Sequence, residues 1–107
     1  MTKKELQALA FNIIGFAGDA LSTYYEALEK AKQGNDEQCD KLLVQAGKHM
    51  QEAHHYQTDL LCRESNGENF DISLLIIHAQ DHLMNAVLAE KLIKELISLH
   101  REVRKVK

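Results

Sequence analysis

The sequence predicts an all-α fold: an up-down-up three-helix bundle. Three observations point there. The 107 residues hold no proline, so nothing in the chain breaks a helix by ring geometry. Turn-forming residues cluster at two places, Gly34-Asn35-Asp36 and Ser65-Asn66-Gly67-Glu68-Asn69. Between these breaks the apolar residues recur in alternating steps of three and four. The length suits one domain spanning residues 1–107, with helices expected at about 3–33, 36–64 and 71–104.

The first helix carries the seam Leu6, Leu9, Ile13, Phe16, Ala20, Tyr24, Ala27 and Ala31, and Thr2 with Glu5 offers a capping box at its start. Leu6 to Gly18 after Lys3 and Lys4 loosely imitates a signal peptide. Glu5, Gln7 and Asn12 interrupt it at helical spacing, so it reads as mature structure. Gly15 and Gly18 cost helix propensity, for which close helix approach is the expected return. The second helix runs on Cys39, Leu43, Ala46, Met50, Ala53, Gln57 and Leu60, with Asn35 or Asp36 as its cap. Gln57 is a polar residue at a seam position. The third helix is expected to be capped by Asp71 and to end in Arg101, Arg104 and Lys105, where the helix dipole favours cations. That basic end reads as solvated.

This third helix is apolar on nearly every side from Ile72 to Ala89. A bundle helix needs only one apolar stripe, so the surplus implies self-association with the third helix nearest the symmetry axis. The alternative is a monomer with an exposed patch for another protein.

Charge and cysteine content narrow the function. Thirteen Lys and Arg against sixteen Asp and Glu give a net charge of −3, which disfavours nucleic acid or an anionic membrane as partner. No apolar run reaches the length of a membrane span. Cys39 and Cys62 lack CxxC spacing and read as free thiols in a reducing cytoplasm.

Inside the apolar third helix sits His78-Ala79-Gln80-Asp81-His82, followed by Asn85. At about 100° per residue with His78 at zero, Asp81 lies near −60°, His82 near +40°, Asn85 near −20° and Gln80 near 200°. His78, Asp81, His82 and Asn85 therefore share one face while Gln80 points to another neighbour. A buried carboxylate needs pairing, hydrogen bonds or a metal, so Asp81 demands a partner. Counting back across the turns predicts a polar layer of Asn12, His54 or His55, Gln57, His78, Asp81 and His82. His49, His100, Asp19 and Glu90 read as ordinary structural or solvated residues. Two chemistries fit the layer: a phosphoryl or acyl relay on a neutral His78, oriented by the nearby carboxylate, and a metal-binding bundle. The di-iron pattern asks for Glu-x-x-His on each of two helices, and the sequence does not supply that set.

The run Ser73-Leu74-Leu75-Ile76-Ile77-His78-Ala79-Gln80-Asp81-His82-Leu83-Met84 resembles the signature of enzyme IIA of the lactose/cellobiose type in the bacterial sugar phosphotransferase system. Ile14-Gly15-Phe16-Ala17-Gly18-Asp19-Ala20, Glu26-Ala27-Leu28, Ala31-Lys32 and Ala53-His54-His55-Tyr56-Gln57-Thr58-Asp59-Leu60-Leu61 are similar to the family's first two helices. The resemblance implies a cytoplasmic phosphocarrier whose His78 accepts a phosphoryl group from phospho-HPr. His78 then donates it to the cysteine of a cognate enzyme IIB, which serves uptake of a β-disaccharide of the cellobiose, lactose or chitobiose class through the membrane enzyme IIC. It further implies a homotrimer in which Asp81 meets its two symmetry mates around a divalent cation, magnesium, on the axis. Gln57, Gln80 and His82 match positions near the site and are carried over as supporting groups. A regulatory or scaffolding bundle that binds proteins without turnover is the competing expectation.

Overall fold

In the computed structural model, which describes residues 1–106, three helices follow one another: α1 Lys3–Lys32, α2 Asp36–Ser65 and α3 Leu74–Val106. They form a slender bundle of 58 × 21 × 17 Å. Each turn is made by a glycine in the left-handed region, Gly34 at φ 80° and Gly67 at φ 91°, where a side chain would be strained. Their amides close the helix ends: Gly34 N donates to Ala31 O and Gly67 N to Glu64 O, both at 3.0 Å.

The starts of the helices follow cap chemistry. Thr2 Oγ1 accepts from Glu5 N at 3.1 Å and Asn35 Oδ1 from Gln38 N at 3.2 Å, satisfying donors that the first turn leaves orphaned. The third helix departs from expectation. It begins at Leu74, three residues after the predicted start, and Ser73 Oγ rather than the Asp71 side chain faces the Ile76 amide, at 3.5 Å. Asp71 and Ile72 are exposed in the irregular segment before it.

α1 is the central element, packing along both α2 and α3, which touch each other little. Its buried residues are Leu6, Leu9, Ala10, Ile13, Ala17, Ala20, Thr23, Tyr24, Ala27 and Ala31. The many alanines there, with Ala46, Ala53, Ala79 and Ala86 on the other helices, are all fully buried and permit short interhelix distances. Two expected seam residues are displaced by one position. Ala17 is buried in place of Phe16, whose ring stacks on Tyr56 with centroids 5.8 Å apart, and Leu42 is buried in place of Leu43. Gly15 and Gly18 permit no close approach within the chain: a methyl group built on either meets nothing within 4 Å.

Glu90, expected to be solvated, lies beside buried Tyr24 and bonds Lys94 Nζ at 2.9 Å. Burial, reinforced by Glu90, pushes the Tyr24 phenol up to about 12, so it stays neutral at ordinary pH.

The basic end of α3 is not simply solvated. Arg104 Nη2 donates to Asp36 Oδ1 at 2.7 Å, Arg101 Nε to the same oxygen at 3.1 Å, and Arg101 Nη2 to Asp40 at 2.9 Å. These pairs tie the start of α2 to the end of α3. The Arg104 guanidinium foremost, with Arg101, holds the Asp36 carboxyl below its usual value. A depressed folded pKa adds stability above the unfolded value and loses it as pH falls through the folded one. Wild type should therefore melt above Asp36→Asn near pH 6, with the gap closing below about pH 3. Thermal melts by circular dichroism across that range check this, and a gap that stays constant into acid would remove the Asp36 tie from the stability of the fold.

Candidate functional site

The site arises from the way α3 lies on α1. Ile76, Ala79, Leu83 and Ala86 are buried, one residue per turn in steps of three and four, so residues on the opposite side of the helix face outward. His78, Asp81 and Asn85 are exposed and His82 is half-buried. The shared polar face read from helical angles is present. The two imidazoles stand edge to face, with ring centroids 4.5 Å apart and planes at 77°.

The predicted cross-helix layer is only partly formed. Gln57 of α2 is level with the site as expected, but its partner is Gln80, not His78 or Asp81: each amide donates to the other's oxygen at 2.7 Å. The count across the turn found the right height and the wrong side of α3. The placement of Gln80 near 200° carried the missing signal. His54 and His55 are both exposed, so neither joins the layer, and Asn12 is half-buried on α1.

Around Asp81 the outward face of α3 is apolar. Ile77, Met84 and Leu88 are between 54% and 57% exposed, and Leu74, Leu92, Leu96, Leu99 and Val103 continue the stripe. With Asp81 they follow three- and four-residue steps, the pattern of a helix seam without a partner helix in the chain. Asp81 is the acidic interruption of that stripe between Ile77 and Met84. No three His, Cys, Asp or Glu side chains converge as a metal site among the described residues. The magnesium centre that the family resemblance implies takes one Asp81 from each of three chains, and a single chain supplies only that one carboxylate, exposed on α3.

Three surface grooves lie elsewhere. One runs along Asp36, Lys94 and Arg101, one between Met1 and Phe70, and one along Leu28, Leu99 and His100; His78, Asp81 and His82 line none of them. The His78 ring stands on a convex helix face outside these three grooves, open to a protein surface. Cys39 is buried at the other end of the bundle, where burial pushes its thiol up, and Cys62 is exposed near the end of α2. No helix among the described residues is long and apolar enough to cross a membrane.

Fold and site together define a class: a short all-α bundle that presents an imidazole pair on an open helix face. Residues 8–101 match the family described as PTS system, Lactose/Cellobiose specific IIA subunit, and the chain belongs to that family. It is 42% identical over 101 residues to the lactose-specific EIIA component of the phosphotransferase system of Lactococcus lactis, covering 94% of this chain and 96% of that protein. It is 39% identical over 100 residues to the lichenan-specific IIA component of Bacillus subtilis, covering 94% and 91%. The fold superposes on the cellobiose-specific enzyme IIA of Bacillus anthracis with a TM-score of 0.91 at 43% identity, covering 98% of this chain and 94% of that one. It is also similar to the chitobiose IIA of Escherichia coli solved in complex with HPr, at TM-score 0.78 and 36% identity, covering 92% and 96%.

Proposed function

We propose that the chain is a cytoplasmic phosphocarrier: His78 accepts a phosphoryl group from phospho-HPr and donates it to the cysteine of a cognate enzyme IIB, which serves uptake of a β-linked disaccharide through IIC. The observation that carries this reading is the exposed His78 ring on a convex face, against His82 and outside every groove described above. The family membership and the HPr complex of the chitobiose relative support the donor, and the lactose, lichenan and cellobiose names of the relatives support the sugar class.

The chemistry asks little of the rest of the chain. A neutral imidazole nitrogen of His78 attacks phosphorus, the new P–N bond forming as the bond to the donor breaks. In the second half-reaction the cysteine sulfur of IIB attacks the same phosphorus and the His78 nitrogen leaves with its electron pair. His82 and Gln80 act in support: the His82 ring, packed against His78, fixes the orientation of the His78 ring and can carry a proton that offsets phosphoryl charge. Incubation with phosphoenolpyruvate, enzyme I and HPr tests the assignment. A carrier gains about one acid-labile phosphate per chain, and a scaffold gains none.

The same reading makes the working form a homotrimer. The unpartnered stripe from Leu74 to Val103 is then the seam where three α3 helices meet, which removes its side chains from water. Light scattering is expected to report three times the chain mass, and a clean monomer at micromolar concentration would overturn the seam. Asp81 in that seam is a hard oxygen donor from each chain, a donor type that fits a divalent cation such as magnesium. When bound, the cation would balance the converging carboxylates.

A further inference from the structure

The polar ties between α2 and α3 fall at two levels of the bundle. Far from the site, Asp36 and Asp40 meet Arg101 and Arg104. At the site, Gln57 and Gln80 bond each other in both directions at 2.7 Å. Among the described residues these are the side-chain hydrogen bonds joining the two helices, which otherwise pack against α1 and scarcely against one another. The first turn of α3, residues 74–77, follows an irregular segment of residues 68–73, so the turn that bears His78 stands only one turn from the start of the helix. Gln80 lies between His78 and His82 along the chain. A closed amide pair sets both the height and the rotation of that turn against α2, because each amide satisfies the other only in one register.

We infer that the Gln57–Gln80 pair is a positioning device for phosphoryl transfer, holding the His78 turn in the attitude that an incoming protein partner meets. The inference rests on His78 being the phosphoryl acceptor. Neither glutamine need touch the phosphoryl group for the effect: misplacement of a reacting atom by a fraction of an ångström is costly to in-line attack. Gln57 stands on a different helix from His78 and can be altered without changing the helix that carries the ring.

The pair has a chemical signature that packing alone lacks. A protonated glutamic acid at position 57 presents one donor and one acceptor, as the amide does, whereas its carboxylate presents two acceptors and confronts Gln80 Oε1. Gln57→Glu should therefore transfer at near the wild-type rate at low pH and about tenfold more slowly once ionised, with a midpoint above that of an ordinary glutamate because Gln80 Oε1 faces it. His54, His55, Asp59 and Arg63 on α2, His78, Asp81 and His82 on α3, and Glu5 on α1 across from Arg63 are present in both proteins. The ratio of variant to wild-type rate therefore isolates the new group. Gln57→Met, of similar length and without hydrogen-bonding groups, should be slow by a similar factor at every pH.

The experiment measures initial rates of phosphate incorporation from phosphoenolpyruvate, enzyme I and HPr from pH 5.5 to 8, with circular dichroism and solution mass recorded for each protein. The expected result is a Gln57→Glu ratio that falls as pH rises, a flat and low Gln57→Met ratio, and helicity and mass unchanged. A Gln57→Glu variant as fast as wild type at pH 8, where its carboxylate is ionised, or a Gln57→Met variant as fast as wild type, would overturn the positioning role. A wild-type protein that takes up no phosphate would instead overturn the carrier reading itself.

Discussion

His78→Ala is expected to lose all acid-labile phosphate incorporation while keeping its helical signal and its solution mass. The ring is exposed on the outer side of α3, so its removal leaves the α1–α3 contact made by Ile76, Ala79, Leu83 and Ala86 untouched. Surface substitutions of this kind stay within about 0.5 kcal/mol of wild type. The chemical loss is total because a methyl group offers no nitrogen to attack phosphorus. His82→Ala should retain part of the transfer, since that ring orients and balances charge. Intact-mass spectra of both variants after incubation with the phosphorylating mixture decide between them. Phosphate on His78→Ala with none on His82→Ala would exchange the two roles.

The second large effect is expected at Asp81 and concerns assembly. Carboxylates brought within about 4 Å of each other repel by about 4 kcal/mol per pair at an effective dielectric constant of 20, so a trimer that gathers three of them in an apolar seam needs a cation or protons. Wild type should lose thermal stability on treatment with EDTA. Asp81→Leu replaces the charge with a side chain like its neighbours Ile77, Met84 and Leu88, and exchanging buried ionic groups for packed apolar ones is neutral or stabilising by about 1–4 kcal/mol in comparable cases. The variant is expected to remain trimeric, to melt at least as high as wild type, and to ignore chelator. A wild type indifferent to EDTA, or a variant that falls to monomers, would remove the axial cation while leaving the His78 relay in place.

Much of the architecture could be read from the residues alone because its punctuation is local. The absence of proline and the two turn glycines, both at positive φ, mark the helices, and Thr2 and Asn35 are caps whose partners lie three residues on. The start of α3 was less legible: Asp71 and Ser73 are both good caps, and the choice depends on where the chain leaves α2, which the turn decides. The polar face of His78, Asp81, His82 and Asn85 follows from helical angles. Its relation to α2 does not, because which side of α3 meets Gln57 depends on the rotation of α3 about its own axis, set by packing on α1. A rotation of less than half a turn exchanges Gln80 for His78. The Asp36–Arg104 and Asp40–Arg101 pairs span 68 and 61 residues of sequence, and no local spacing announces them. The glycines Gly15 and Gly18 show the reverse failure, a local signal for close approach with nothing near them in the chain.

Localising the phosphate tests the central claim most directly. Wild-type protein would be phosphorylated by phosphoenolpyruvate, enzyme I and HPr, digested at neutral to alkaline pH where phosphohistidine survives, and its peptides fragmented by electron transfer. The expected result is a single phosphate on the His78 ring, with His49, His54, His55, His82 and His100 unmodified, and its disappearance on addition of a phosphate-accepting enzyme IIB. A phosphate on any other residue, or none at all, would contradict the account.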